Sequence, residues 1–191
     1  MLIKTIKVGN LRTNCYIVYD ETANEGIVID PGDDVEDIIK EIGQIKIKAI
    51  VLTHGHYDHV TDAFKLKKRV DAPVMVGRKD EMSWMISYTA QKADAHLNDG
   101  DELKVGGLTF RVIATPGHTA GSMSLYNERE KALFSGDTLF EGTYGRTDFP
   151  GGSEEEMIAS LKKLLALPGD TAVYPGHGRN TTIEAEKNLI E

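Results

Sequence analysis

Short apolar, β-branched runs alternate with amphipathic stretches along the whole chain. Residues 2–8, 15–19, 26–29 and 49–52 are such runs, closed mostly by Gly or Asp, and they predict four strands in the first third. Between the last two, Val35, Ile38, Ile39 and Ile42 recur at i, i+3, i+4 and i+7. That spacing predicts an amphipathic helix, capped by Asp33 or Asp34 and ended by Gly43. Further helices are expected from about residue 60 to 69 and over residues 79–89. In the second half, residues 100–114 read as a hairpin turning at Gly106–Gly107. Residues 122–127 and 131–137 read as two more strands. Residues 153–169 carry a strong helix signal: Ser153 and Glu156 fit a capping box, Met157, Leu161, Leu164 and Leu165 form the apolar stripe, and Pro168–Gly169 stops it. Residues 171–178 predict a last strand and 181–190 a last helix. Strands and helices in both halves imply an α+β sandwich of two packed sheets with helices outside.

Composition narrows the possibilities. The chain has 191 residues, 40% hydrophobic and 27% charged, with a formal net charge of −8. It reads as a single domain, residues 1–191, without evident linkers or repeats. One cysteine, Cys15, excludes an internal disulfide and a cysteine-based zinc cluster. No run is long enough to span a membrane, and the first residues do not resemble a secretory signal, so a cytoplasmic location is expected. The acidic balance argues against a nucleic-acid partner. KLKKR at 65–69 reads as the solvated face of a helix.

The chemistry is concentrated in THGHYDHV, residues 53–60. His54, His56, Asp58 and His59 lie within six positions, and neutral imidazoles with a carboxylate suit Zn, Fe or Mn. They follow an apolar strand, and Gly55 leaves the backbone room to turn. Three later segments repeat the theme of a ligand-type residue after a strand: His118 in ATPGHTAGS, Asp137 in FSGDTLF and His177 in YPGHGRN. Five of the six histidines fall in these turns; the sixth, His96, sits in a polar stretch and reads as surface. Seven candidate ligands exceed what one tetrahedral ion takes, whereas two ions sharing a carboxylate would use them all.

In this order, H-x-H-x-D-H, then His, Asp and His, resembles the signature of the metallo-beta-lactamase superfamily. The resemblance runs from IDPG at Asp30 to PGHG at His177. It implies an αββα sandwich with metals at one edge between the sheets. It also implies the grouping of His54, His56 and His118 with Asp137, and of Asp58, His59 and His177 with Asp137 as the bridge. Asp30 resembles the aspartate that supports the site from behind its ligands, and it reads equally as a turn residue before Pro31.

Within the superfamily, TNCYIV, TPGHT, FSGDTLF, GRTDFPGG and YPGHG are similar to small hydrolases of the glyoxalase II (hydroxyacylglutathione hydrolase) type. The chain departs from that type in three ways. It stops soon after His177, where a C-terminal helical domain is expected; Thr61–Asp62 stands where Gly-Gly is common; and Arg146 stands where a substrate-contacting Lys is usual. The resemblance implies two divalent ions, zinc first and iron or manganese as alternatives, and hydrolysis of a small hydroxyacyl thioester by a metal-bridging hydroxide that Asp58 orients. A mononuclear-iron persulfide dioxygenase and a lactone hydrolase are the competing expectations. Arg146 is the candidate anchor for a substrate carboxylate, or the partner of Asp148 in a structural salt bridge. Tyr144 and Tyr57 are candidate substrate donors, or packing at the site mouth. Met82, Trp84, Met85 and Tyr88 read as pocket lining or, more simply, core.

Overall fold

The computed structural model describes residues 1–81 and 86–190. The first sheet contains β1 (Leu2–Val8), β2 (Thr13–Asp20), β3 (Glu25–Ile29), β4 (Lys46–Val51), β5 (Val74–Gly77) and β6 (Ala95–Leu97), in that spatial order. The first three strands are antiparallel neighbours, and β3 to β6 run parallel. The second sheet has the order β14 (Thr181–Thr182), β13 (Ala172–Pro175), β10 (Ala132–Gly136), β9 (Met123–Asn127), β8 (Leu108–Ala114), β7 (Glu102–Val105). A small ribbon pairs β11 (Leu139–Phe140) with β12 (Thr143–Tyr144). The described helices are α1 (Val35–Ile42), α2 (Tyr57–Val60), α3 (Ala63–Val70), α4 (Arg78–Asp80), α5 (Ile86–Thr89) and α6 (Glu154–Leu165). None is long and apolar enough to cross a membrane.

Strand alternation explains the layers. A strand sends successive side chains to opposite faces, so a run apolar at every position has both faces buried. In β2, β3 and β4, Tyr16, Val18, Ile27, Ile29, Ala49 and Val51 face the other sheet, where they meet Phe110, Val112, Leu125 and Phe134. Their neighbours Ile17, Val28, Ile50 and Leu52 face outward and are covered by Ile38 and Ile42 of α1 and by Phe64 and Leu66 of α3. On the far side, Ile113, Tyr126, Leu133 and Val173 are covered by Met157, Leu161 and Leu164 of α6. Burying each of these α6 side chains contributes roughly 1.5–3 kcal/mol. The result is the αββα sandwich.

Several elements differ from expectation. The segment expected as one helix from about residue 60 is two, α2 and α3, with Asp62 between them. Asp58 and His59 therefore lie inside the first turn of α2. Asp34 precedes α1 but does not cap it, because its carboxylate accepts the N–H of Gly9; the orphan N–H of Val35 goes to Asp62. This is what the non-glycine at position 62 does. Residues 181–190 do not form a helix: Thr181 and Thr182 pair with β13, and the N–H groups of Ile183 and Glu184 reach Thr171 and Gly169 instead of carbonyls one turn back. His96 is not a surface residue. It lies in β6, half-buried, with Nε2 2.6 Å from Glu81 Oε2. Of the helix expected over 79–89, α4 and α5 cover the described ends, while Met82, Trp84 and Met85 lie outside the described residues. The KLKKR segment is a solvated face as expected: Lys65, Lys67 and Arg69 pair with Asp62, Asp94 and Glu36, and Leu66 is buried beneath them.

Candidate metal centre

All the ligand-type residues come from turns at one end of the sandwich. β3 and β4 are parallel, so Asp30 and the 53–59 turn emerge at the same end of the first sheet. β8 and β10 both flank β9 antiparallel, so they share a direction, and β13 is parallel to β10. The turns after β8, β10 and β13 thus bring His118, Asp137 and His177 to one edge. Two backbone bonds fasten the sheets there: Met123 N–H to Thr53 O at 2.8 Å and Asn14 N–H to Gly176 O at 2.7 Å. Asn14 Nδ2 and the Tyr16 hydroxyl both donate to Pro175 O, which fixes the strand end that carries His177.

The seven side chains converge. His56 Nδ1 lies 3.1 Å from His54 Nε2 and 2.9 Å from His118 Nε2. On the other side, His177 Nε2 lies 3.3 Å from His59 Nε2 and 3.2 Å from Asp58 Oδ2. Asp137 lies between the two groups: Oδ1 is 3.5 Å from His59 Nε2, and Oδ2 is 3.6 Å from both His118 Nε2 and His177 Nε2. Ligands about 2.0–2.2 Å from a tetrahedral ion stand about 3.3–3.6 Å from one another. The observed separations are close to that.

Hydrogen bonding behind the ligands sets the tautomers. His118 Nδ1 is 2.8 Å from the carbonyl of Arg146, which has no proton to give, so Nδ1 donates. His59 Nδ1 donates to Asp30 Oδ2 at 2.9 Å. The Thr53 hydroxyl donates to Asp30 Oδ2 at 2.7 Å, so its oxygen accepts from His54 Nδ1 at 3.1 Å. In all three rings Nε2 is left to meet a cation, a metal ion or a proton. Asp137 Oδ1 is buried and has no hydrogen-bond partner among the described residues. This donor set fits a divalent metal.

The titration behaviour agrees. Burial lowers the His54 imidazole well below its ordinary value, and the neighbouring imidazoles add to the effect. Burial and His118 hold His56 down at about 4. For His59, burial opposes the charge, but the carboxylates of Asp137 and Asp30 outweigh it and raise the ring to about 9. Burial likewise opposes ionisation of Asp58, but the bond to His177 and the charge of His59 hold its carboxyl well below the usual range. His177 is raised against burial by its bond to Asp58. Protons therefore compete with metal on the Asp58 side more than on the His54 side.

Sequence reasoning missed several residues that build this site. Thr13 Oγ1 donates to Asp58 Oδ2 at 2.8 Å and orients it. Asp80, fully buried, accepts from Gly55 N–H at 2.8 Å, Thr119 Oγ1 at 2.6 Å and Gly121 N–H at 2.6 Å. It ties the turn carrying His54 and His56 to the turn carrying His118. Nothing in its sequence neighbourhood marks it, because its partners are distant in the chain. Gly176 is legible only afterwards: a Cβ there would lie 2.1 Å from Asp137 Oδ1 and 2.8 Å from His59 Cε1. Asp30 lies behind the converging side chains, bonded to Thr53 and His59. It sits at φ 53°, a left-handed conformation rare outside glycine, which directs its carboxylate at Thr53 and His59.

One face of the centre opens into a cavity of about 570 Å³, lined in part by His56, Asp58, His118, Asp137 and His177. Arg146 lines it too, but as the partner of Asp148: Nε and Nη2 each donate at 2.7 Å, and the guanidinium lies 3.7 Å from the Phe149 ring centroid. That pair holds the Asp148 carboxyl down at about 2. Tyr57 and Tyr88 stand at the cavity mouth. Tyr144 is not brought to the cavity; its hydroxyl donates to Glu154 Oε1 at 2.9 Å.

Comparison with known proteins agrees with this geometry. The chain is 36% identical to hydroxyacylglutathione hydrolase GloC of Haemophilus influenzae, over 98% of this chain and 95% of that one. Among solved structures, it is similar to the B3 metallo-beta-lactamase BLEG-1 (TM-score 0.90, 36% identity, 98% and 97% covered). It is also similar to ETHE1 from Myxococcus xanthus (0.84, 31%, 99% and 83%) and to TTHA1623 in a di-iron-bound form (0.84, 32%, 97% and 98%). The model of the metallo-beta-lactamase superfamily matches residues 8–177, which include every one of the seven converging side chains, and the chain belongs to that superfamily.

Proposed function

We propose that the protein is a binuclear metal-dependent hydrolase of small thioesters, with His54, His56 and His118 holding one ion, Asp58, His59 and His177 the other, and Asp137 both. The observation that carries this reading is the position of Asp137, with Oδ1 turned to His59 and Oδ2 to His118 and His177 at one open cavity. The likenesses to GloC and to the di-iron form of TTHA1623 support it. Bound there, divalent cations lower the pKa of water and polarise a carbonyl oxygen. The chain itself supplies orientation. Asp30, Thr53 and the Arg146 carbonyl fix three imidazoles, and Thr13 and His177 hold Asp58 at the cavity wall, where its carboxylate orients water for attack. A thiolate leaves readily because its conjugate acid has a pKa near about 8.5, so no strong general acid is needed. Zinc is the first candidate, with iron or manganese next, and the expected location is the cytoplasm.

Metal analysis of the purified protein with a panel of thioesters, lactones and persulfides tests the reading. Two ions per chain and thioester cleavage are expected, with both lost in Asp137→Ala. A second reading, a mononuclear-iron persulfide dioxygenase, is favoured by the likeness to ETHE1. One iron per chain with oxygen uptake on a persulfide would replace the first reading with the second.

A further inference from the structure

Large hydrophobic side chains left in water are ordinary when scattered and informative when gathered. Among the described residues the exposed ones are Leu2, Leu11, Tyr57, Tyr88 and Phe149. Leu2 lies on the edge strand β1. The other four, between 41% and 52% exposed, all line the cavity over the metal centre. They come from four separate places: the β1–β2 loop, the first turn of α2, α5, and the loop before α6. Convergence from four segments is not the by-product of one amphipathic helix.

The apolar wall begins on the metal centre itself. The Phe149 ring is 6.0 Å from the His56 ring, edge to face, and Tyr57, next to Asp58 in the chain, is 5.8 Å from Tyr88. Cationic side chains other than the histidines are scarce around it. Arg146 is the only ammonium or guanidinium among the described lining residues, and Asp148 takes it with two hydrogen bonds while its flat face lies on Phe149. With two of its five N–H groups given to Asp148 and its face against Phe149, Arg146 offers a substrate carboxylate less than a free guanidinium would. An apolar group would meet Leu11, Tyr57, Tyr88 and Phe149 along the cavity wall.

We infer that the substrate of this site carries an apolar arm, an aliphatic or aromatic group of about four carbons or more, on the acyl or the thiol side of its thioester. This inference rests on the hydrolase reading and names its substrate class. The wall, not Arg146, sets specificity.

The test uses two series on the metal-loaded protein: N-acetylcysteamine thioesters from acetyl to octanoyl, and acetyl thioesters of ethanethiol to octanethiol. Along the series that matches the arm, kcat/KM should rise about two-fold per methylene, half the effect of full burial, and ten-fold or more over the first four methylenes. Leu11→Ser combined with Phe149→Ser should flatten that slope with the melting temperature retained. Binding of S-butyl, S-hexyl and S-octyl N-acetylcysteamine thioethers, followed by calorimetry, should tighten with the same slope. Flat profiles in both series, a slope that survives the double substitution, or S-lactoylglutathione as a better substrate than the hexanoyl thioester would overturn the inference. Chain-length-dependent thioether binding without cleavage of any thioester would keep the apolar arm and remove the hydrolase reading. Cleavage with flat profiles would do the reverse.

Discussion

Replacing Asp80 tests whether the two halves of the centre are aligned from behind. Its carboxylate is fully buried and accepts three hydrogen bonds, from Gly55, Thr119 and Gly121. Asp80→Ala leaves these three donors without an acceptor, each at a cost of about 1–3 kcal/mol when buried. The donors share one carboxylate and relax together, so about 3–4 kcal/mol of lost stability is the reasonable total. Asp80→Asn is gentler. Its amide oxygen can serve Gly55 and Thr119 in place of Oδ2, but its NH₂ then faces the Gly121 N–H, one donor against another. About 1–2 kcal/mol is expected. Because Gly55 sits between His54 and His56, and Thr119 follows His118, misalignment should also weaken metal binding. Loss of such a support typically costs about 10–100-fold in affinity. The assay is competition with a chromophoric chelator, run beside thermal melts. If Asp80→Asn melts lower but binds metal with unchanged affinity, Asp80 is a core residue and the alignment argument is wrong.

Three further outcomes are expected. Gly176→Ala should abolish retention of metal although it alters no ligand, because the new Cβ would fall 2.1 Å from Asp137 Oδ1; full metal content by elemental analysis would refute this. The chelated protein should be most stable near neutral pH. Below about pH 6.5 the unfolded chain takes protons that His54 and His56 refuse in the fold, so stability falls with falling pH towards about 4. From about 6.5 to about 9 the folded His59 holds a proton that the unfolded chain has lost, so stability falls as pH rises; melting temperatures independent of pH across that upper window would contradict the charge assigned to His59. Ser153 accepts the N–H of Glu156 at 3.3 Å at the start of α6, so Ser153→Ala should cost about 1 kcal/mol, or about 2–4 °C in Tm. An unchanged melt would show that water satisfies this helix end equally well.

Strands and amphipathic helices were legible where one period dominated. β1 matches the reading residue for residue, and α1 and α6 follow their apolar spacing and their glycine or serine ends. The segment missed as a strand, β6, is only three residues long and lies in a polar stretch of the sequence, and tertiary pairing with β5 and the bond from His96 to Glu81 make it one. The expected final helix failed for the opposite reason. Its sequence allows helix, but β13 and the Thr171–Gly169 carbonyls take its first donors.

The seven candidate ligands could be named from the chain alone because metal chemistry restricts residue type: imidazoles and carboxylates after strands are few and recognisable. Their supports could not. Thr13, Asp80 and Gly176 are ordinary residues until the fold sets them against Asp58, Gly55 and Asp137, across 45, 25 and 39 positions of sequence. For Arg146 the chain offered two partners, Asp148 or a substrate carboxylate; the fold shows the pair with Asp148 and adds the stacking on Phe149, which no local pattern announced. Sequence determined which atoms can bind a metal, since that is a property of each side chain. Tertiary structure decided where those atoms point and what surrounds the open face, since orientation and burial arise only when distant segments pack.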